Sequence, residues 1–317
     1  MNESTLHTVV VGAGAVGSFF GAMLAKAGKR VTLIGRQAHV EAIDREGLRL
    51  IMAGGEERIA VAATTGLDVL RQADVLLFCV KSTDTEATAR AIAPLLKPDA
   101  LVLSLQNGVD NCEVIAAELA QPVVAVAVYV AVAMPAPGVV QHFGRGELLI
   151  GSFRPEERED EHCQRRLNEL VPYFADAGVK VEVSTTVMHE LWMKLIANCA
   201  YNAISGLAQL PYGVMASVAE IPAVQKLVVE EVVAVAQAEG HALTVAEGMA
   251  LVERIAVTMP GQKSSTAQDL ARGKRTEIDH LNGFIARRAA KHGIAAPVNQ
   301  TLHALVRLVE EGKRVAV

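Results

Sequence analysis

The hydrophobic pattern changes period near residue 185. Before it, short runs of consecutive apolar residues alternate with stretches of helical spacing; after it, the 3.6-residue period dominates. The runs "HTVVVGA", "RVTLIG", "DVLLFCV", "ALVLSLQ" and "VVAVAVYV" are short, Val-rich and predominantly apolar without a polar alternation, as strands covered on both faces tend to be. They predict a parallel sheet joined by crossover helices. Between the first two, residues 18–27 are Ala-rich at helical spacing and close on Gly28, which predicts a helix there. "GVVQHFGRGELLIGSF" sets glycines between short apolar pieces. It reads as a hairpin at the far edge of the sheet, with His142 a hydrogen-bonded strand residue. The charged segment 154–166 predicts a solvated loop leading into a helix. In "VQKLVVEEVVAVAQAEG" the apolar positions follow one helical face, either core or subunit interface, which leaves a homodimer open. The resulting domains are a sheet domain over 1–185 and a helical one over 186–317.

Composition narrows the classes. A chain of 317 residues that is 51% hydrophobic can bury two cores. The formal charge of −5, with Lys and Arg dispersed, offers no basic stripe for a phosphate backbone, so nucleic acid is not an expected partner. Cys79, Cys112, Cys163 and Cys199 stand apart from one another, without a CxxC pair or a nearby His at metal-ligand spacing. No metal is expected, and reduced thiols in a cytoplasm are. The N-terminus enters a strand without a basic lead, and the longest apolar run, 122–135, is shorter than the roughly 20 residues a membrane helix needs.

Candidate chemistry begins at "GAGAVG", residues Gly12, Ala13, Gly14, Ala15, Val16 and Gly17, directly after a strand and at the opening of a helix. In that setting the first glycine permits a tight turn, the second lets backbone approach a pyrophosphate, and the third lets helix pack on strand. The alternative is a merely structural glycine turn. The fold expected is α/β, a Rossmann-type parallel sheet domain followed by an all-helical domain. The second strand ends "LIGRQ", with Arg36 and no carboxylate until Glu41. A protein selecting NAD places Asp or Glu there; an arginine suits a 2′-phosphate, so the reading is NADPH, against a solvated arginine. Two further strand ends, "CVKST" with Lys81 and "SLQNGVDN" with Asn107, lie where ligands bind in such sheets.

In the helical half, "HELWMKLIANCAYN" sets Lys194, Asn198 and Asn202 four residues apart, along one helix face. A surface stripe, or Lys194 paired with Glu190, would explain the lysine alone. Two amides on an otherwise apolar helix ask for polar partners. Ser264 and Ser265 lack a His and Asp arrangement, and GxSxG is absent, so hydrolysis has little support.

In order along the chain, "GAGAVG", "VKST", "QNGVDN", "HELWMKLIANCAYN", "KSSTAQD" and "RTEIDHLNGF" resemble the ketopantoate reductases, NADPH enzymes of pantothenate synthesis. The resemblance implies reduction of 2-dehydropantoate (ketopantoate) to pantoate. It implies Lys194 as general acid, Asn198, Asn202 and Ser265 as substrate contacts, Asn107 as a contact for cofactor and substrate, and Glu277 beside the nicotinamide ribose and the lysine. That agrees with the residue chemistry: hydride addition to a ketone leaves charge on oxygen, which an ammonium can stabilise and protonate. Glu277, read as lying in a helix that begins after "RGKR", would supply the carboxylate a partly buried lysine needs. An exposed pair with Lys274 or Arg275 is its alternative. The sequence departs from the family at Tyr212, where relatives often carry Asn, and at Gln262, where some do. Competing readings are a reductase of another branched 2-oxo acid, a 3-hydroxyacid dehydrogenase, and a nicotinamide-binding regulatory protein without turnover.

Overall fold

The computed structural model describes residues 6–158 and 160–315. The chain divides into two compact units, 1–188 and 189–317. Unit 1 runs β1 (His7–Val11), α1 (Ala15–Lys26), β2 (Arg30–Ile34), α2 (Gln37–Glu46), β3 (Leu48–Met52), β4 (Gly55–Ile59), β5 (Ala62–Thr64) and β6 (Val75–Phe78). It continues with α3 (Thr85–Ile92), β7 (Leu101–Ser104), α4 (Asn111–Glu118), β8 (Val123–Ala136), β9 (Val139–Ser152), α5 (Glu161–Ala175) and β10 (Val181–Val183).

Strand order is β4-β3-β9-β8-β7-β6-β1-β2-β5, with β10 on β9. From β5 to β8 every pairing is parallel. Each of the strands β1, β6 and β7 there is wholly buried, which is why they read as mostly apolar runs without alternation. Beneath them Phe20, Leu24, Leu33, Leu77, Leu103 and Ile150 share one core with Leu170, Tyr173 and Phe174 of α5. Tyr173 brings its hydroxyl to Thr8 Oγ1 of β1 at 2.7 Å. Helix α5 starts where Asp160 accepts from the Cys163 N–H, so the charged segment does lead into a helix.

The segment expected as an edge hairpin is instead one long strand, β9, antiparallel to β8. On its other side it seats β3 at its start and β10 at its end. The glycines that look like turns are irregularities within the pairing. Register shifts fall between Tyr129 and Val130 and between Ala131 and Val132 of β8, opposite Gly144, Arg145 and Gly146, all at positive φ. His142 is a hydrogen-bonded strand residue, its Nε2 2.6 Å from the Arg145 carbonyl and its ring stacked on Phe19.

Unit 2 holds α6 (Val187–Ala208), α7 (Tyr212–Ala216), α8 (Ile221–Ala238), α9 (Val245–Thr258), α10 (Ser265–Ala271), α11 (Asn282–His292) and α12 (Pro297–Val315). Met188, Leu191, Trp192, Leu195, Ile196, Cys199, Ala200 and Ala203 are buried at three- and four-residue steps, the spacing that makes α6 a central helix. Helix α8 buries Val228, Val229, Val232, Val233 and Val235, so its apolar face is core, with Leu227 left exposed. Among the described residues no helix is long and apolar enough to cross a membrane.

Candidate active site

The glycine turn is built by close approach. Gly12 has φ +94°, and a Cβ there would fall 2.6 Å from the Val80 nitrogen, against the end of β6. Gly17 lies equally tight, a Cβ meeting the Gly12 carbonyl at 2.5 Å. Gly14 differs: it faces open space. Gly12 and Ala13 donate to the Ile34 carbonyl at 3.1 and 2.9 Å, tying the turn to the end of β2. Helix α1 then begins at Ala15 with no side chain capping it. Its first amides therefore point out of a bare helix N-terminus, the geometry that receives a phosphate. Burial pushes the Cys79 thiol beside this turn well above its ordinary range, leaving it neutral.

Arg36 ends the loop after β2 as the residue capping α2, and it is exposed. Lys81 occupies the equivalent place after β6, exposed at the start of a short 3-10 turn. Asn107 is half-buried after β7. Its carbonyl accepts from Ser82 Oγ at 3.1 Å and from Asn111 Nδ2 at 2.6 Å. Asn111 Oδ1 accepts from Thr85, and Thr85 in turn accepts from Gln106, whose amide also donates to the Val80 carbonyl. The loops after β6 and β7 are thus fixed to one another by a buried polar network. Sequence reading found Lys81 and Asn107 but missed Ser82, Thr85, Gln106 and Asn111. The signal available was a cluster of small polar residues at two neighbouring strand ends.

On α6, Lys194 and Asn198 are half-buried and Asn202 is buried, so the stripe sinks into the unit toward the helix C-terminus. There Asn202 Nδ2 donates to Ser265 Oγ at 3.4 Å, bringing together two residues that sequence reading picked separately. The neighbouring serine makes the join firm. Ser264 Oγ donates to the Asn202 carbonyl and accepts from the Ala267 N–H, capping α10, while the Ser264 N–H reaches Ser205 Oγ. A Cβ at Gly206 would strike Thr266, so α10 packs directly on α6.

Glu277 does not lie in a helix. Helix α10 ends at Ala271, and Glu277 precedes a 3-10 turn, Ile278–His280. The cause is Thr276, which is buried and donates both its N–H and its hydroxyl to Glu310 of α12 at 2.7 and 2.6 Å. The Ile278 amide then donates to Thr276 Oγ1. These amides bond side chains rather than helical carbonyls, which stops a helix from forming. The half-buried carboxylate is thereby set on a braced bend. Asp279, two residues on, is pulled upward by burial, but its bonds to His303 and Arg275 outweigh that and hold it below its ordinary range.

The departures at Tyr212 and Gln262 are partners: the Tyr212 N–H donates to the Gln262 carbonyl at 3.0 Å. The Tyr212 ring is buried against Tyr201, 4.4 Å between centroids, and burial raises its hydroxyl pKa strongly. Gln262 is exposed.

A bare helix N-terminus at the carboxyl ends of a parallel sheet, followed by a helical unit with an ammonium and amides on one face, defines a Rossmann-type dinucleotide-binding protein. The model of the family "Ketopantoate reductase PanE/ApbA" matches residues 8–155, and that of its C-terminal domain matches 186–310. The chain is 35% identical to the 2-dehydropantoate 2-reductase of Halobacterium salinarum, over 96% of this chain and 99% of that protein. It is 34% identical to that of Pyrococcus horikoshii, over 95% and 96%. Among solved structures, a PanE/ApbA family ketopantoate reductase from Ralstonia eutropha is 50% identical, with TM-score 0.90 over 98% of this chain and 100% of that one. A D-mandelate dehydrogenase solved with NADH and anilino(oxo)acetate also superposes with TM-score 0.90, at 26% identity, over 98% and 100%. The chain belongs to the ketopantoate reductase PanE/ApbA family.

Proposed function

We propose that this protein reduces 2-dehydropantoate to pantoate with NADPH. The observation that carries the reading is the buried Asn202 bonded to Ser265 on the same helix as Lys194, in a chain matched by the family over nearly its whole length. The residues present suit the cofactor: the α1 amides for its pyrophosphate, the open face at Gly14 for close approach, and the exposed Arg36 for its 2′-phosphate. NADPH, bound there, supplies the hydride that adds to the ketone carbon.

The remaining chemistry belongs to the chain. As the carbonyl electron pair moves onto oxygen, the Lys194 ammonium stabilises the growing charge and then gives up a proton to it, forming the alcohol. Solvent returns the proton to the amine. Asn198, Asn202 and Ser265 hold the substrate through groups that do not titrate near neutrality, so none competes for that proton. Glu277 balances the ammonium, and Asn107 contacts cofactor and substrate.

A second reading, reduction of a 2-oxo acid with an apolar side chain, is favoured by the equal fold match to a D-mandelate dehydrogenase and by the Tyr212 ring in place of an amide. NADPH oxidation with 2-dehydropantoate and with 2-oxoisovalerate, which lacks the hydroxyl, separates the two. A site built to bond the hydroxyl rejects the analogue by up to about 10⁴-fold in kcat/KM. Comparable values would favour the second reading, and no oxidation with any 2-oxo acid would favour a regulatory protein.

A further inference from the structure

Outside the residues already given roles, one buried imidazole reaches the glycine turn through a serine. His39 lies on the first turn of α2, three residues past Arg36, and is 5% exposed. Its Nδ1 accepts from the Gly138 N–H at 2.8 Å, in the turn between β8 and β9. Its Nε2 lies 3.1 Å from Ser18 Oγ on α1, and Ser18 Oγ lies 3.3 Å from the Ala13 carbonyl, inside the glycine turn.

The direction of each bond follows from elementary donor counting. A backbone N–H only donates, so Nδ1 carries a lone pair, and the single proton of the neutral ring must sit on Nε2. Nε2–H therefore donates to Ser18 Oγ. That leaves the serine its own proton, which points at the one acceptor in reach, the Ala13 carbonyl. With that carbonyl turned inward and bonded, the peptide between Ala13 and Gly14 has its orientation fixed immediately ahead of the bare α1 amides. Gly138 has φ +73°, and a Cβ there would meet Ala42 at 2.8 Å, so the turn that starts the relay is itself pressed onto α2.

We propose that His39 is a positioning residue for the dinucleotide, orienting the glycine turn through a one-way hydrogen-bond relay from Gly138 through Ser18 to Ala13. The proposal rests on the reading that NADPH binds at this turn. It assigns to Ser18 the work of keeping the pyrophosphate cradle in shape, and to the imidazole the work of aiming Ser18. The reacting atoms are not involved. Loss of the relay raises Kd and KM for NADPH while leaving kcat at saturating NADPH, and KM for the 2-oxo acid, unchanged.

Two substitutions at His39 separate this from simple packing. In His39→Gln the amide nitrogen replaces Nε2 as donor to Ser18 and the bond from Gly138 is lost. In His39→Asn the amide oxygen replaces Nδ1 as acceptor from Gly138 and the bond to Ser18 is lost. Both melt at lower temperature than the parent. NADPH titrated by fluorescence should bind His39→Gln within about twofold of the parent, whereas His39→Asn and Ser18→Ala should each bind about three- to tenfold more weakly, the worth of one neutral hydrogen bond. The double variant should bind no more weakly than either single one, because both remove the same relay. Ser18→Ala, a small change, keeps the test informative if the His39 variants fold poorly. Equal weakening in His39→Gln and His39→Asn, unaltered binding in Ser18→Ala, or a fall in kcat at saturating NADPH would each overturn the proposal. An unmodified protein that binds no NADPH would overturn the functional reading itself.

Discussion

Alanine at Gly12 and alanine at Gly14 should fail in different ways. At Gly12 the backbone has φ +94°, and a methyl would sit 2.6 Å from the Val80 nitrogen and 2.7 Å from the Cys79 carbonyl carbon. Holding a non-glycine residue in such a conformation costs about 1–3 kcal/mol, and crowding a packed site against backbone adds about 1–3 kcal/mol more. The loss is therefore at least about 2 kcal/mol. For a unit of this size each kcal/mol moves Tm by about 2–4 °C, so Gly12→Ala should melt at least about 4 °C lower and bind NADPH weakly. At Gly14, φ is −79° and nothing lies within 4 Å of a Cβ, so the cofactor-free protein should melt within about 1 °C of the parent. In the proposed cofactor site the methyl would instead occupy the space through which a pyrophosphate reaches the α1 amides. Losing one charged hydrogen bond there costs about 1.5–3 kcal/mol, a rise in Kd of about tenfold or more. Calorimetric melting of the free protein with NADPH titration on the same samples reads both numbers. If Gly14→Ala melts as low as Gly12→Ala, or binds NADPH as the parent does, the division of labour argued for the two glycines is wrong.

Arg36→Ala should weaken NADPH binding about tenfold or more while leaving NADH binding nearly unchanged, since only the 2′-phosphate loses a charged partner; equal losses would mean Arg36 does not read the phosphate. Lys194→Ala should fold and bind NADPH yet lose turnover by about a hundredfold or more, and surviving turnover would remove it as the acid. His7 and His39 sit below the ordinary 6.5, in both cases chiefly because burial disfavours the charged ring. The unfolded chain takes up those protons at higher pH than the folded one, so their contribution to stability is complete above about pH 6.5 and is lost as pH falls through the lowered values. Tm should therefore fall as pH drops below about 6.5, with a shallower slope in His39→Gln; an unchanged slope would show that the ring is not kept neutral by burial.

Sequence legibility followed burial. Strands β1, β2, β6, β7 and the first half of β8 are buried along all or nearly all of their length, and mostly apolar runs announce them. β4, "GEERI", is exposed along most of its length and held by pairing with β3, so no apolar signal marks it. β9 was misread because Gly144 and Gly146 have the composition of turns, whereas their positive φ is spent on register shifts inside a continuous ladder. In the helical unit, a four-residue step was enough to place Lys194, Asn198 and Asn202 on one face. The helical pattern misplaced Glu277 because the contact that breaks the helix comes from Glu310, far along the chain. His39 escaped notice for a similar reason: its partners, Ser18 and Gly138, come from separate elements, and nothing local marks a histidine that bridges them.

The place of β9 between β8 and the pair β3 and β10 orders events for a chain made from its N-terminus. Arg49 pairs with Val139, and Val181 with Leu148. A ribosome releases β3 and β4 long before β9 has emerged, and two strands alone are at best marginally stable in water. Until β9 arrives, Leu48 and Leu50, buried in the finished sheet, have only α1, α2 and the first strands to pack on, and one edge of β3 lacks its partner. β10 comes last, just ahead of α6, so the sheet closes only as the first helix of the next unit is being made. A chain cut short of Val139 thus leaves one edge of β3 with its backbone N–H and C=O groups unpaired.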